Sequence, residues 1–319
     1  MKNVTAFLLF FSTIGNAQFV SQHGQLSVSG TQLLDENKQA VVLRGMSFGW
    51  HSLWPRFYNE KTVSWLLKDF NCTVVRAAMG IEFGKNSYLD NPKAAQEKIE
   101  KVVQGAIQSD IYVIIDWHSH NINLAEAKVF FDGISKKYGK FPNILYEIFN
   151  EPDHETWPEV KRYSEEIIKV IRKNDSHNII LVGSPHWDQD IDLVADNPIL
   201  NQKNIMYTLH FYAATHKKEL QDKADYALQK GIPLFVSESA GMEASGDGNL
   251  DMESWKSWIN WMENRKISWV TWSVSDKDET CSILKKSACS TGNWKDSDLN
   301  ESGILIRSFL RKYNSMEME

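Results

Sequence analysis

Cysteine is scarce in this chain of 319 residues: Cys72, Cys281 and Cys289 are too few for a disulfide framework. Cys281 and Cys289 fall close together in a loop-like stretch, where they can close one small ring; Cys72, in FNCTVVRAAM, reads as a core residue beside a strand. No Lys/Arg-rich run occurs, and 35 Lys+Arg against 41 Asp+Glu leave a formal charge of −6, which argues against nucleic acid as a partner. The apolar run from Val4 to Ile14 is too short to span a bilayer. Linkers rich in Pro, Ser or Gly and internal repeats are also lacking, so one domain over 18–319 is expected.

The same N-terminal stretch has a use. Met1-Lys2 is a short basic start, the apolar run follows, and Gly15-Asn16-Ala17 places small residues before a cleavage site, the pattern of a secretory signal peptide over 1–17. The expected mature chain begins near Gln18, leaves the cytoplasm and has no membrane partner. Aromatics are abundant, with 12 Trp. They either fill a core or offer flat faces on which sugar rings stack.

Eight short apolar runs, rich in β-branched residues and with little alternation, read as strands buried on both faces of a parallel sheet. They are 41–46, 73–79, 111–117, 143–149, 178–183, 204–211, 233–239 and 267–272. Amphipathic segments lie between them, at 93–108, 157–173 and 252–265, and a last one closes the chain. This order predicts an α/β fold, a (β/α)₈ TIM barrel, with the alternating segment GQLSVSGTQLLDENKQAVVL as a short hairpin on its floor. A doubly wound open sheet is disfavoured because RGMSFGW is no Gly-rich phosphate turn.

A barrel gathers polar residues at the C-terminal ends of its strands. Arg76 lies in the second run, His118 ends the third, Asn150-Glu151 the fourth, His210 and Tyr212 the sixth, Glu238 the seventh and Trp272 the eighth, while Trp187 follows the fifth. Glu151 and Glu238 each terminate an apolar strand, on strands four and seven, the placement that cleavage of a glycosidic bond needs. One carboxyl protonates the leaving oxygen while the other attacks the anomeric carbon. Arg76 would keep Glu238 ionised, Tyr212 would donate to the same carboxylate, and Asn150 would bond a sugar 2-hydroxyl. His210 would orient or protonate Glu151, whose pKa is expected to be raised.

The segments VVRAAM, VIIDWHSH, LYEIFNEP, TLHFYAATH, PLFVSES and WVTWSVSDKDET resemble those of glycoside hydrolase family 5, in its cellulase subfamily, over nearly the whole mature chain. The resemblance implies a secreted endo-β-1,4-glucanase that hydrolyses cellulose and related β-glucans by a retaining double displacement. It implies Glu151 as acid/base and Glu238 as nucleophile, supported by Arg76, His118, Asn150, His210, Tyr212 and Trp272. Lys277 and Glu279 are expected to bond sugar hydroxyls, with Trp54 and Trp187 as stacking platforms. No cofactor, no metal, no appended carbohydrate-binding module and a monomer are expected. Gly80, where related cellulases often carry an aromatic, and Ser239, where most carry Trp or Phe, are departures that bear on the cleft floor. Mannanase, xylanase and licheninase are the alternative specificities. More remote are a non-catalytic glycan-binding protein and a metal-dependent hydrolase that uses His118-Ser119-His120 with His210.

Overall fold

The hydrophobic runs form strands as expected, each displaced by one to three residues from its predicted bounds. The computed structural model describes residues 19–315, so the leader expected over 1–17 lies outside the described residues. A two-stranded antiparallel hairpin, β1 (Ser27–Ser29) and β2 (Gln32–Leu34), precedes the barrel strands. These are β3 (Arg44–Phe48), β4 (Val74–Gly80), β5 (Tyr112–His118), β6 (Ile144–Glu147), β7 (Ile179–Val182), β8 (Ile205–Tyr212), β9 (Leu234–Ala240) and β10 (Trp269–Val274). They pair in parallel in chain order, and β10 closes the barrel on β3.

Successive side chains of a strand point to opposite faces. On β4, Val75, Ala77 and Met79 join the core under the helices, and Val74 joins the barrel interior. The lower interior is apolar, built of Val74, Tyr112, Ile114, Leu145, Ile179, Leu181, Met206, Phe235 and Val270. One layer higher the inward residues change character to Ser47, Arg76, Asp116, Glu147, Thr208 and Ser237, all buried. That change of layer creates the site.

The outer shell follows from amphipathic helices with defined starts. Asn59 and Asn91 cap helices Glu60–Phe70 and Pro92–Gln108, Thr156 and Glu159 form a capping box for Trp157–Arg172, and Asp251 caps Met252–Arg265. The floor is closed by the helix Phe19–His23 and the hairpin, whose Phe19, Val20, Leu26 and Leu33 pack under the barrel interior. Both ends of the described chain attach to this floor. Val20 donates its N–H to Asp110 at 2.9 Å, and Asn314, on the last helix Glu301–Ser315, accepts from Arg44 at 3.2 Å and donates to the Asn71 carbonyl at 2.7 Å.

The ring that Cys281 and Cys289 could close is not formed. All three thiols are free: Cys281 is buried and bonded to Glu279 at 3.2 Å, while Cys289 is exposed beside Thr291. The tryptophans fall into two groups. Trp117, Trp255, Trp258 and Trp269 are fully buried in the core, whereas Trp50, Trp54, Trp187 and Trp272 stand at the barrel mouth.

Candidate active site

Arg76 sits at the centre of the polar layer with no exposed surface. Its guanidinium donates to Glu147 at 2.7 and 3.2 Å, to Glu238 at 2.8 Å and to Asn150 at 2.5 Å, and lies 3.0 Å from Asp116. A buried cation needs such pairing, because its desolvation otherwise costs several kcal/mol. Arg76 brings Glu147 down to about 2, with His210 adding to the effect and burial opposing it. Asp116 is held well above the carboxylate range by burial, against the pull of Arg76.

Glu238 reaches this centre through an irregularity. Thr208 of β8 pairs with Phe235 of β9, but His210 pairs with Glu238, so β9 carries one extra residue. Such a bulge re-aims a side chain, and here Ser237 and Glu238 both bond groups of the polar layer. Tyr212 donates to the second Glu238 oxygen at 2.6 Å. Burial and the nearby charge of Glu151 hold Glu238 above the usual carboxylate range, opposed by Arg76, His210 and Tyr212.

Glu151 lies four residues past the end of β6, tethered by its N–H to the Ser119 carbonyl at 3.2 Å. His210 approaches one oxygen through Nδ1 at 2.9 Å, and His120 stands 3.8 Å from the other. The expected raised pKa is not what this geometry produces. Burial pushes Glu151 up, but the hydrogen bond and charge of His210 outweigh it and leave Glu151 below its ordinary value. His210 is held well above its ordinary value despite burial, by Asp188, Glu147 and Glu151. Asp188 is itself pushed up to about 8 by burial, and accepts from Thr208 at 2.7 Å and from the Ser184 N–H at 2.5 Å. One oxygen of Glu151, one of Glu238 and a ring nitrogen of His210 all lie within 4.8 Å of one another.

Two hollows meet over these carboxylates. One holds Trp187, Gln189 and His216 and reaches Glu151. The other holds Trp50, Trp54, Trp272, Lys277 and Glu279 and reaches both Glu238 and Glu151. Trp272 stacks on His118 at 5.1 Å and 4°, and His118 Nδ1 is fixed by Asp116 at 2.7 Å. Burial and Arg76 hold His118 well below its ordinary value, so it is neutral. Trp187 is 40% exposed and lies in a run, His186-Trp187-Asp188, with φ of 57, 53 and 60°. Such conformations are costly outside glycine; the bonds of Asp188 to Ser184 and Thr208 hold the run in place. Lys277 and Glu279 form an ion pair with each other. Asn150 Nδ2 is buried and has no partner among the described residues.

The two departures have structural explanations. A Cβ on Gly80 would stand 2.8 Å from the Trp50 ring, so the indole of the neighbouring strand's loop fills the space beside position 80. Ser239 is buried and donates to the Val270 carbonyl at 2.9 Å, so it does not floor the cleft. The His118-Ser119-His120 pair does not converge with His210: among the described residues, neither of its histidines belongs to a set of three ligand atoms within mutual reach. Glu147, Asp188, Ser237 and Trp50 also belong to the site and were not among the sequence candidates, and His120, read only as part of a metal pair, stands beside Glu151. Glu147 alone gave a signal, a charge inside the apolar run LYEIF.

His51 ties the mouth loops together. Its Nδ1 accepts from the Gly80 N–H and its Nε2 pairs with the Asn86 carbonyl, both at 3.0 Å, while burial holds its pKa down to about 4. The unfolded chain takes this proton near pH 6.5, so the contribution is complete above 6.5 and lost as pH falls toward 4, by about 3 kcal/mol at most. Denaturant titrations at pH 7 and pH 4.5 should show a smaller loss in His51→Gln than in the wild type. Equal losses would exclude His51 as a source.

The sequence profile of the cellulase family (glycosyl hydrolase family 5) matches residues 34–278. The chain belongs to glycosyl hydrolase family 5. An endoglucanase of Clostridium saccharobutylicum is 40% identical to this family 5 enzyme over 98% of the chain and 72% of the relative. Endoglucanase A of Evansella cellulosilytica is 42% identical over 86% of the chain, which spans only 57% of that relative. Among solved structures, one from Cytophaga hutchinsonii superposes with a TM-score of 0.92 at 45% identity, covering 94% of this chain and 99% of that one. The catalytic domain of Thermobifida fusca endoglucanase Cel5A superposes with a TM-score of 0.87 at 33% identity, covering 92% and 99%. The chain is a glycoside hydrolase of the cellulase family.

Proposed function

We propose that the protein is a secreted endo-β-1,4-glucanase that cleaves with retention, with Glu238 as nucleophile and Glu151 as acid/base. The observation that carries this reading is the approach of one oxygen of each carboxylate to within 4.8 Å. Retaining pairs stand roughly 5–5.5 Å apart, whereas an inverting pair leaves roughly 6.5–9.5 Å for a water. Glu238 attacks the anomeric carbon as Glu151 protonates the departing oxygen, giving a glycosyl-enzyme; Glu151 then deprotonates the water that releases the sugar. Arg76 and Tyr212 each hold one Glu238 oxygen, which leaves the carboxylate oriented for attack.

Glu151 and His210 share a proton across their 2.9 Å contact, and Asp188 and Glu147 behind His210 keep that proton in the network. The unpartnered Nδ2 of Asn150 donates to the 2-hydroxyl of the reacting sugar, a bond that strengthens toward the transition state. His118 fixes Trp272 beside that sugar. Because Glu151 protonates the leaving group, the hollow with Trp187, which reaches Glu151 and not Glu238, takes the leaving side of the chain. The hollow with Trp54, Lys277 and Glu279 takes the side retained on Glu238. A Glu-to-Gln variant of the Thermobifida relative was solved with cellotetraose, which supports a β-1,4-glucan substrate here. The apolar leader pattern supports secretion. No helix of the described residues is long and apolar enough to cross a membrane. The enzyme acts as a monomer, and the two carboxylates supply both nucleophile and proton without a cofactor.

Proton NMR of the first product from a cello-oligosaccharide tests the mechanism, and a panel of carboxymethyl-cellulose, mixed-linkage glucan, mannan and xylan tests the substrate. The expected results are a β-anomer and activity on the glucans that a chelator leaves intact. An α-anomer would overturn retention; activity confined to mannan or xylan would overturn the glucanase assignment.

A further inference from the structure

Phe83 is a large aromatic side chain left 54% exposed at the barrel mouth, on the loop that follows β4. Single exposed apolar residues are common and need no explanation. This one is held rigidly. Its carbonyl accepts the Ser52 hydroxyl at 2.7 Å, and His51 binds the same loop at Gly80 and Asn86. At Gly84, φ is +86° and a Cβ would stand 3.0 Å from both Leu53 and Ser52, so the turn beside Phe83 needs glycine. Holding an apolar ring in water on a fixed loop adds nothing to folding, but it lowers the cost of ordering a binding surface.

The ring also has a support that leads inward. It meets Trp50 edge-on, with centroids 5.4 Å apart at 63°. Trp50 is wedged between Gly80, whose missing Cβ makes room for it, and His120, which stacks at 5.9 Å and 22°. Trp50 and the 49% exposed Leu53 line the hollow that contains Glu238. An apolar strip therefore runs from the reacting centre to the rim, on the hollow that also holds Trp54. β-Glucose carries its hydroxyls equatorially and presents flat C–H faces, which suit such a strip and ask for no hydrogen-bonding group on it.

We propose that Phe83, backed by Trp50, is a platform for an outer glucose unit on the retained side of the cleft, beyond the one at Trp54, and so a determinant of the chain length the enzyme prefers. This rests on the assignment of the Glu238 hollow to the retained side. The test compares cellotriose with cellopentaose labelled with ¹⁸O at its reducing end, in the wild type, Phe83→Ala and Phe83→Tyr, with melting temperatures measured alongside.

For Phe83→Ala the ratio of kcat/KM on cellopentaose to that on cellotriose should fall roughly three- to tenfold, the range of one aromatic stacking contact. Cleavage should shift so that fewer glucose units remain on the non-reducing side, and Phe83→Tyr should restore both readouts. An unchanged ratio, or equal losses on both substrates with a lowered melting temperature, would overturn the platform. A shift in the opposite direction would place Phe83 on the leaving side and overturn the hollow assignment. A wild type inactive on both sugars would overturn the glucanase reading itself.

Discussion

Glu238→Ala should lower kcat/KM on soluble glucan by on the order of 10⁴-fold or more, and azide should then restore turnover with an α-linked glycosyl azide as product. The substitution removes the oxygen proposed to attack and leaves a space between Arg76 and Tyr212, both of which bind the native carboxylate. An anion that fits there attacks the same face of the sugar, and with no second displacement the product is inverted. Glu151→Ala should behave differently. A dinitrophenyl cellobioside, whose leaving group needs no proton, should retain most of its glycosylation rate while cellulose oligomers lose theirs, and azide should give the β-linked product. If azide gave the same anomer in both variants, the two roles would not be divided between these carboxylates as proposed.

Arg76→Met should be the most damaging substitution outside that pair. Arg76 is fully buried and meets Asp116, Glu147 and Glu238 at 2.7–3.2 Å. Removing one partner of a buried ionic cluster costs about 3–5 kcal/mol, because the charges left behind are uncompensated. Those carboxylates respond by binding protons. For Glu238, already raised by burial and Glu151, the loss of Arg76 moves the pKa further up. The nucleophile must be ionised, so the acidic limb of the kcat/KM profile should move to higher pH, together with a lower melting temperature. Arg76→Lys keeps a charge without the planar fork and should fall between the two. An acidic limb that stays in place in a folded Arg76→Met protein would show that another group keeps Glu238 ionised.

The barrel was legible because its strands are buried on both faces and therefore read as continuous apolar runs. The site was legible where a polar residue terminates such a run, as with Glu238, Tyr212 and Glu151. It was not legible where function depends on partners from distant strands. Glu147 looks like one charged residue in LYEIF until Arg76, 71 positions earlier, and Ser237, 90 positions later, are seen to bind it. The β9 bulge has no residue-level signature, since alternation alone would send either Ser237 or Glu238 outward. The pKa of Glu151 was misjudged for a related reason. The sign depends on whether His210 carries its proton, and that is set jointly by Asp188, Glu147 and Glu151, the first of which lies outside every strand run. Gly80 read as a missing aromatic because sequence position was equated with place, whereas the ring arrives from Trp50 on the adjacent loop.

The floor contacts of Val20 and Asn314 have a practical meaning. The described chain enters and leaves on the face opposite the two hollows. A bead, an electrode or a fluorophore coupled through either end would stand behind the barrel, with the cleft facing the bulk solution. Immobilised that way, the enzyme would meet a polymer too large to enter a matrix as readily as it would when free.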